Sequence, residues 1–344
     1  MELGIGMFGD LSFDTATGKP RAAKVKLQEI LAQIKLADEV GLDVFGLGEH
    51  HRPDYAVSAP EIVLAAAASI TKKIKLFSTV TVLSSAEPVK VYQDFSTIDL
   101  ISNGRAEIGV GRGSFIESFP LFGYNLKDYD QLFEEKLDLL LNINNNEVVN
   151  WKGELRAPLI NQQVLPRATN NGKLPIWIAV GGTPESVLRA AKLGLPLIVA
   201  IIGGMPKQFK PLIDYYKQEY LKHGHDVANM QIGIHSHSFL SNEPTNIAEY
   251  FNNYAAQMNR VGASRGWPPY AKSQYDGGRT KEGALFIGDV NEVTDKILYM
   301  HELFGITRFI GHMDVGDPSH QNMMKAIELF GKEVAPAVRK AIIK

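Results

Sequence analysis

The sequence lacks cysteine altogether, in a chain of 344 residues. This absence excludes disulfides, a thiolate nucleophile, cysteine-ligated zinc and iron–sulfur clusters. The chain also lacks an excess of either charge, because 36 lysines and arginines stand against 38 acidic residues, for a net charge of −2. Such a balance gives no sign of binding to nucleic acid or to an anionic membrane. Any chemistry must therefore come from histidine, carboxylates, arginine, backbone amides or a bound cofactor.

Long apolar runs are lacking as well. No uninterrupted run approaches the roughly 18 residues that a membrane-spanning helix needs, and the N-terminal segment has neither the basic start nor the apolar stretch of a secretory signal. We therefore expect a protein of the cytoplasm. Hydrophobic residues make up 45% of the chain and charged residues 22%, which is the composition of a folded protein with a large core.

What the sequence does contain is a repeated alternation of short apolar runs with longer segments of helical period. The apolar runs have the composition of β-strands and cover residues 1–9, 44–48, 74–83, 105–110, 176–180, 197–202, 231–240 and 307–313. The helical segments cover residues 24–40, 58–70, 88–101, 130–143, 183–193, 206–223, 290–304 and 322–340. This alternation predicts an α/β protein, a TIM (β/α)8 barrel that forms one domain over residues 1–344. The alternative is a doubly wound open sheet, but no strand leads directly into a GxGxxG turn.

Two connections are too long for a simple barrel, so we predict insertions after strands 4 and 7. The first contains a predicted hairpin at residues 148–160, with Trp151 placed just before a Lys-Gly turn. The second, residues 241–283, has a helical part at 247–258 and then a stretch rich in glycine, proline, tyrosine and arginine. A long connection on the active face of a barrel is typical of a lid.

Polar side chains follow several of the predicted strands, on the face where barrel enzymes carry their active sites. Glu49, His50 and His51 follow the second strand, and His312 and Asp314 follow the eighth. Neighbouring residues of a strand point to opposite sides, so at most one of His50 and His51 should face the barrel mouth. The alternative is that both are structural histidines bonded to backbone carbonyls. A metal site is not expected, because no helix has the HExxH spacing.

A glycine-rich turn separates the fifth strand from its helix. It reads Gly181, Gly182 and Thr183, with Ser186 one turn later. Glycines allow close approach of the backbone, the hydroxyls can donate hydrogen bonds, and the start of a helix offers free N–H groups, so this turn suits a phosphate. The alternative is an ordinary helix start with Thr183 as its cap and Pro184 in its first turn.

Three further features are candidates for the same face. Arg112 and Gly113 follow the fourth strand, where a fixed cation suits a phosphate or an anionic ring. His235 and His237 share one face of the seventh strand, and they either line the pocket or belong to the core. Arg279 lies on the predicted lid, where it either anchors an anionic ligand or is a solvated loop charge.

In their order and spacing these elements resemble the bacterial luciferase-like family of flavin-dependent monooxygenases. The resemblance covers roughly the first 200 residues. Its motifs are Leu-Gly-Glu-His-His at 47–51, Thr-Val-Thr-Val-Leu at 79–83 with a proline at 88, Gly-Arg at 104–105 followed by Gly-Arg-Gly at 111–113, and the turn and helix at 181–194. The resemblance implies a barrel with insertions that binds reduced FMN, or F420 in some branches.

The resemblance also implies roles for particular residues. His50 would be the catalytic histidine near the flavin C4a position, and a cis peptide bond near Thr79 and Val80 would lie under the isoalloxazine ring. The phosphate would be held by Arg112 with Gly113 and by the turn that contains Gly181, Gly182, Thr183 and Ser186. From their positions at strand ends and on the predicted lid, and not from the resemblance, we expect Glu49, His51, His237 and Arg279 to contact the substrate.

The activity that the resemblance implies is insertion of one oxygen atom from O2 into a small organic substrate, through a C4a-hydroperoxyflavin. A separate flavin reductase would supply the reduced FMN, and a homodimer is expected because dimers are common in the family. Two alternatives stay open. One is F420-dependent hydride transfer on the same fold, and the other is a catalytically silent protein that binds flavin without turnover.

Overall fold

Eight parallel strands close into a barrel in the computed structural model, which describes residues 1–343. Each strand pairs with the next along the chain, and the eighth pairs with the first. The predicted TIM barrel is therefore confirmed, and the open-sheet alternative is wrong. The strands are β1 (Glu2–Met7), β2 (Val44–Leu47), β3 (Lys75–Ser78), β4 (Ala106–Gly111), β5 (Ile176–Val180), β6 (Leu197–Ala200), β7 (Ile232–Leu240) and β8 (Arg308–His312).

Eight helices alternate with these strands, as predicted. They are α1 (Ala23–Glu39), α2 (Pro60–Ile70), α3 (Pro88–Ser102), α4 (Tyr129–Asn145), α5 (Pro184–Leu193), α6 (Lys210–Lys222), α7 (Val290–Phe304) and α8 (His320–Leu329). The chain continues from α8 through a π-helical segment, Phe330–Val334, into a last helix, Ala335–Ile342. Within residues 1–343 no helix combines the length and the apolar character of a membrane span.

The core consists of two separate layers. The larger layer lies between the strands and the surrounding helices. The smaller layer fills the inside of the barrel, where side chains from alternate positions of the strands meet, and its members are Val44, Phe77, Trp177, Ile198 and Ile310. The barrel is thus filled by side chains along its axis, which confines any binding site to one of its two ends.

The N-terminal end of the barrel is closed by a buried ion-pair network. Arg308 donates from Nε to Glu2 at 2.7 Å and from Nη1 to Glu107 at 2.6 Å, and its guanidinium carbon lies 4.1 Å from the ring centroid of Trp177. Burial raises the pKa of Glu107, but Arg308 and Lys75 outweigh this effect and hold that pKa below its usual value. Arg308, Lys75, Glu2 and Glu107 thus pair with one another at this end of the barrel.

Both predicted insertions are present, with one correction. After β4 the chain forms a short helix, Ser118–Leu121, and later an antiparallel hairpin between Val148–Trp151 and Leu159–Gln163. The tight Lys-Gly turn predicted after Trp151 is wrong, because residues 152–158 form a longer connection. Because this connection is longer, the second strand extends beyond residue 160, where the hairpin was predicted to end.

The insertion after β7 contains two helices, Pro244–Ala263 and Lys272–Arg279. It returns to the barrel through a short strand, Phe286–Gly288, which pairs in parallel with the end of β7. This strand was not predicted, because three residues are too few to show a period. The insertion predicted to cover residues 241–283 is therefore followed by one more short strand.

The third strand is interrupted where a continuous one was predicted. After β3 the chain resumes pairing only at Thr81–Val82, and between the two pieces lies a cis peptide bond joining Thr79 and Val80. The bond stands at the place that the family resemblance implied. A hypothetical Cβ atom on Gly46 would lie 2.7 Å from the side chain of Thr79, and one on Gly111 would lie 2.8 Å from that of Val80. Both glycines are therefore required for the neighbouring strands to approach this segment.

Candidate active site

A phenyl ring surrounded by three histidines occupies the C-terminal mouth of the barrel. Phe8 follows β1, and its ring centroid lies 4.2 Å from that of His312, 4.6 Å from that of His50 and 6.0 Å from that of His235. A Cβ atom on Gly48 would lie 2.4 Å from this ring, so the glycine makes room for it. No local pattern singles out Phe8, since an apolar residue at the end of a predicted strand looks like a core residue.

Each of the three histidines has a buried ring nitrogen with no hydrogen-bond partner among the described residues. These atoms are Nε2 of His50, Nε2 of His235 and Nδ1 of His312. An unpartnered buried polar atom costs about 1–3 kcal/mol, and most buried polar atoms in proteins are paired. Three such atoms around one side chain give the mouth hydrogen-bonding groups that water or a ligand can engage.

The histidines are neutral at pH 7. Burial is the main cause, and it lowers the pKa of His50 to about 3 and that of His235 to about 4. Arg52 and the neighbouring His51 lower the pKa of His50 further, against the opposing effect of Asp54. A neutral imidazole has one N–H donor and one acceptor nitrogen, so this cluster offers uncharged hydrogen-bonding groups.

Both histidines of β7 face the inside of the barrel, which the sequence alone left open. The ring centroid of His312 lies 5.3 Å from that of His235 and 5.5 Å from that of His237. Nδ1 of His237 is 2.8 Å from the hydroxyl of Tyr254, a residue of the inserted helix Pro244–Ala263. Burial lowers the pKa of His237 to about 3. The insertion therefore contributes directly to the wall of the mouth.

The two histidines of the Glu-His-His motif point to different sides, as the geometry of a strand predicts. His50 faces Phe8, whereas His51 turns away and places Nε2 3.3 Å from Oε1 of Glu49. The ring of His51 packs edge-on against Phe122, with a centroid distance of 5.2 Å. The motif thus places His50 in the cluster around Phe8 and leaves the other two residues as a pair at the rim.

A second aromatic side chain covers His50 from the loop that follows β4. The ring of Phe115 lies 4.8 Å from the ring of His50, centroid to centroid. The guanidinium carbon of Arg52 lies 4.8 Å from the Phe115 ring centroid, and that of Arg265 lies 4.9 Å from it. Arg265 also donates to the carbonyl of Ser114 at 3.1 Å. The two insertions therefore meet directly above His50.

The predicted phosphate-binding residues come together at the start of α5. Nη2 of Arg112 donates to Oγ1 of Thr183 at 3.2 Å, and that hydroxyl donates to Oγ of Ser186 at 2.8 Å. Gly182 has a φ of +131°, a backbone conformation that L-residues with side chains rarely adopt. Thr183 stands at the N-cap position of α5 with a proline directly after it, as the alternative of an ordinary helix start expects, but its side chain makes no capping hydrogen bond and is engaged with Arg112 and Ser186 instead.

This arrangement fits an anionic group. It combines one guanidinium, two hydroxyls and the N-terminal N–H groups of a helix, all of which bind phosphate in proteins. Gly181 precedes the turn, and Gly113 has a φ of +82° where the chain leaves β4 beside it. Nη1 of Arg112 is 2.6 Å from Asp130, which competes for the same cation.

Arg279 does not join the other predicted residues. Its Nε donates to the carbonyl of Ile287 at 2.9 Å, and its Nη2 lies 3.7 Å from Glu292. These partners tie Arg279 to the short strand outside the barrel. Anchoring of a ligand by Arg279 would require these contacts to break.

A carboxylate that follows β8 organises the floor of the mouth. Asp314 is completely buried and accepts backbone N–H bonds from Phe8 at 3.1 Å and from Gly9 at 2.9 Å. Nζ of Lys26 lies 3.3 Å from it, and that lysine is buried within α1. Sequence reasoning missed Lys26, because one lysine in an amphipathic helix looks like a surface residue.

The same region contains the three side chains whose ligand atoms are close enough to hold a metal ion. Atoms of Asp10, His312 and Asp314 all lie within 4.8 Å of one another. The ammonium of Lys26 already provides a cation here, and burial together with Asp314 raises the pKa of Asp10 well above its usual value. The cluster is therefore a charge-balanced structural unit and does not require a metal ion.

The sequence as a whole matches an established family. The pattern of luciferase-like monooxygenases covers residues 1–307, and the chain belongs to this family. It is accordingly an oxidoreductase with the barrel fold that was predicted. The resemblance noted from the motifs is confirmed over a longer part of the chain than the motifs span.

Individual relatives are distant. A protein of Sinorhizobium fredii without an assigned activity is 25% identical over 333 residues, which is 92% of this chain and 93% of that protein. N-acetyl-S-alkylcysteine monooxygenase of Bacillus subtilis is 31% identical over 186 residues, covering 53% of each chain. The alkanal monooxygenase alpha chain of the Kryptophanaron alfredi symbiont is 27% identical, and the match covers 54% of its length.

Solved structures share the fold at low identity. Monooxygenase RslO1 of Streptomyces bottropensis superposes with a TM-score of 0.83 and 21% identity, covering 98% of this chain and 99% of that one. The oxygenating constituent of 3,6-diketocamphane monooxygenase of Pseudomonas putida, solved with FMN, gives 0.74 and 20%, covering 98% of both. An F420-dependent secondary alcohol dehydrogenase also gives 0.74, at 19%, covering 98% and 100%.

Proposed function

We propose that the protein is an FMN-dependent monooxygenase that uses reduced FMN and O2 to oxygenate a small organic substrate. The observation that carries this proposal is the placement of two different groups at one barrel mouth. Arg112, Thr183 and Ser186 form an anion-binding set at the start of α5, and neutral histidines with free ring nitrogens surround Phe8. A phosphate-tailed redox cofactor and an uncharged substrate need such a combination.

The residues present fit FMN. The phosphate would be held by the anion-binding set, and the ring system would lie against the Thr79–Val80 segment, where Oγ1 of Thr79 is buried without a partner among residues 1–343. Reduced FMN would supply the electrons with which O2 is activated. The cofactor would thereby provide redox chemistry that the side chains of a chain without cysteine do not provide.

The chain's own residues would control protons and water. His50 is neutral at pH 7, so it can hold a proton on one ring nitrogen and accept one on the other. Phe8 and Phe115 pack on two sides of its ring and keep bulk water away. Glu49, His51 and His237 would contact the substrate from the rim and from β7, and Arg279 would do so only after leaving Ile287.

The second candidate is F420-dependent hydride transfer. An F420-dependent alcohol dehydrogenase superposes as well as the FMN-containing oxygenase does, so the fold favours neither cofactor. The Glu-His-His motif at 49–51 favours the FMN branch. A protein that binds flavin without turnover is a third candidate, and it would keep only the anion-binding set.

Partners follow from the FMN proposal. An enzyme that consumes reduced FMN as a substrate needs a separate flavin reductase to regenerate it. We also propose that the protein is a homodimer and works in the cytoplasm, where reduced flavin is produced. Sedimentation analysis tests the oligomeric state directly.

Titration with FMN tests the cofactor. Replacing Arg112 by Gln removes a charge-assisted hydrogen bond worth about 1.5–3 kcal/mol, so the Kd for FMN should rise by about 10- to 150-fold. Quenching of FMN fluorescence measures this change. Arg189→Gln is the matched control on α5, because Arg189 pairs with Glu134 away from the turn, and it should leave the Kd within about twofold.

Oxygen consumption with reduced FMN then separates the candidates. Loss of a general acid or base typically costs about 10²–10⁴-fold, so His50→Ala should lower substrate-dependent oxygen use by that factor while FMN still binds. Unchanged oxygen use in this variant would support the silent binder. Binding of F420 without binding of FMN would overturn the proposal in favour of hydride transfer.

A further inference from the structure

We propose that His312 and Asp314 form a substrate-binding pair, in which Nδ1 of His312 accepts a hydrogen bond from a neutral hydroxyl group of the substrate. The substrate class is thus an uncharged aromatic or enolic molecule that carries an O–H donor. This inference deepens the proposed function and rests on it.

Asp314 determines which nitrogen of His312 carries the proton. Oδ1 of Asp314 lies 3.3 Å from Nε2 of His312 and also accepts the backbone N–H of Phe8. Oδ2 accepts two further backbone N–H groups and lies 3.3 Å from the ammonium of Lys26. A carboxylate surrounded by donors has no proton to give, so we expect the proton of His312 on Nε2, which faces Oδ1 of Asp314.

The other nitrogen of His312 is then an acceptor without a partner. Burial, reinforced by His235, His237 and His50, holds the pKa of His312 well below its usual value, so the ring is neutral. In a neutral ring with its proton on Nε2, Nδ1 has a free lone pair. That atom is buried and accepts no hydrogen bond within the part of the chain described.

Among the described residues, no side chain donates a hydrogen bond to this atom. Nδ1 of His237 is engaged with the hydroxyl of Tyr254, while His50 and His235 each have a ring nitrogen that also lacks a partner. The nearest ring, at 4.2 Å between centroids, is the phenyl group of Phe8, which has no O–H or N–H. In the proposed complex this donor is the hydroxyl group of the bound substrate.

The charge of that molecule follows from what surrounds the pair. An anionic oxygen would face the lone pair of Nδ1, and the nearby cation of Lys26 is already held by Asp314 and Asp317. A cationic donor would have to be buried among neutral histidines without a counter-charge, which is costly. A neutral hydroxyl satisfies Nδ1 without either cost.

The shape of the molecule follows from the walls of the mouth. The rings of Phe8, Tyr55 and Phe115 all lie within 4.8 Å of His50, centroid to centroid. Aromatic edges and faces of this kind favour a planar apolar body. Phenol combines such a body with one neutral donor, and anisole has the same ring without the donor, so the two form a matched pair of probes.

The tautomer can be tested on the protein alone. Nitrogen NMR of protein labelled with ¹⁵N-histidine distinguishes N–H from lone-pair nitrogens, and the His312→Gln variant assigns the signals among the nine histidines. We expect His312 to carry its proton on Nε2. In Asp314→Asn the amide should donate to Nε2 and move the proton to Nδ1. Asp317→Asn is the control, because Asp317 pairs with the same Lys26 without contacting His312.

The hydrogen bond is tested with the two probes. Phenol should move the Nδ1 signal of His312, anisole should leave it in place, and neither should alter the tautomer. A proton found on Nδ1 in the unmodified protein, or equal shifts with phenol and anisole, would overturn the proposal. If Asp314→Asn does not fold, these two measurements on the unmodified chain still decide. FMN binding is measured separately, so loss of the cofactor proposal would be recognised independently.

Discussion

At the scale of single residues, the mouth of the barrel contains buried histidines that are neutral at pH 7. His50, His235 and His237 are buried, and burial is the leading cause of the lowered pKa of each. No carboxylate pairs with any of these three rings among the hydrogen bonds of the described chain. The site therefore binds by uncharged hydrogen bonding, and it makes the fold sensitive to acid.

We predict that stability declines as the pH falls below about 6.5, the pKa of histidine in an unfolded chain. The unfolded chain takes up protons at that pH, whereas His235 in the fold does so only near its pKa of about 4. The stability that depends on neutral His235 is complete above pH 6.5 and is lost progressively towards pH 4. Urea unfolding between pH 7 and pH 5 measures the slope.

Replacing His235 by Gln should reduce that slope by about one proton, which corresponds to about 1.4 kcal/mol for each pH unit. His235 has no recorded partner at Nε2, so the substitution removes titration without breaking a hydrogen bond at that atom. His223→Gln, at the exposed end of α6, controls for the loss of a histidine elsewhere. A slope unchanged in His235→Gln would contradict the prediction.

At the scale of elements, the two insertions depend on each other. Arg265, which follows the inserted helix Pro244–Ala263, contacts Phe115 and the carbonyl of Ser114 in the loop after β4. Gln257 of the same helix donates to Asp54 at 3.3 Å. Both insertions also pack apolar side chains, among them Tyr254 and Trp151, against the main core, so the contacts of Arg265 add to that packing at the place where the two insertions meet. The predicted lid stays a proposal, and these contacts are where it would open.

We predict that Arg265→Ala loosens the loop at residues 113–117. The substitution removes a cation–π contact and a hydrogen bond, together about 1–2 kcal/mol, so amide hydrogen exchange in that loop should accelerate by about 5- to 30-fold. Arg279→Ala is the control, since its partners Ile287 and Glu292 lie outside the mouth. Equal protection of the loop in both variants would show that Arg265 does not hold it.

Helices and strands were the part of the fold that local pattern could predict. Their hydrophobic periods depend on neighbouring residues, so all eight barrel strands and their helices were found. The predicted ends of the helices were less accurate where capping residues determine the end. The second helix was predicted to begin at residue 58, but it begins at Pro60, whose fixed φ suits the first turn.

Contacts between distant parts of the chain could not be predicted in this way. The family motifs located His50, Arg112 and Thr183, because each stands in a recognisable local sequence. Lys26 and Asp314 meet only because the barrel closes β8 against β1, and no spacing in the sequence records that contact. The acceptor role that we propose for His312 depends on this contact between distant residues. It could therefore be inferred only from the three-dimensional structure.

At the scale of the whole molecule, the two ends of the barrel divide stability from function. The C-terminal mouth contains unpartnered polar atoms, whereas the N-terminal end pairs Arg308 of β8 with Glu2 of β1 and Glu107 of β4. This network joins strands from different parts of the barrel, so it supports closure of the sheet as well as filling its interior. The barrel can tolerate unpaired polar groups at its C-terminal end because the ion-pair network stabilises its N-terminal end.

We predict that Arg308→Met destabilises the protein by about 3–5 kcal/mol, because it leaves the buried carboxylate of Glu107 without its main partner. Arg339→Met is the matched control, since Arg339 forms a half-exposed pair with Asp43, and it should cost less than about 1 kcal/mol. Urea unfolding at pH 7 compares the two variants. At lower pH the difference should shrink, because protonated Glu107 no longer needs a cation, and a difference independent of pH would exclude the ion pair as its cause.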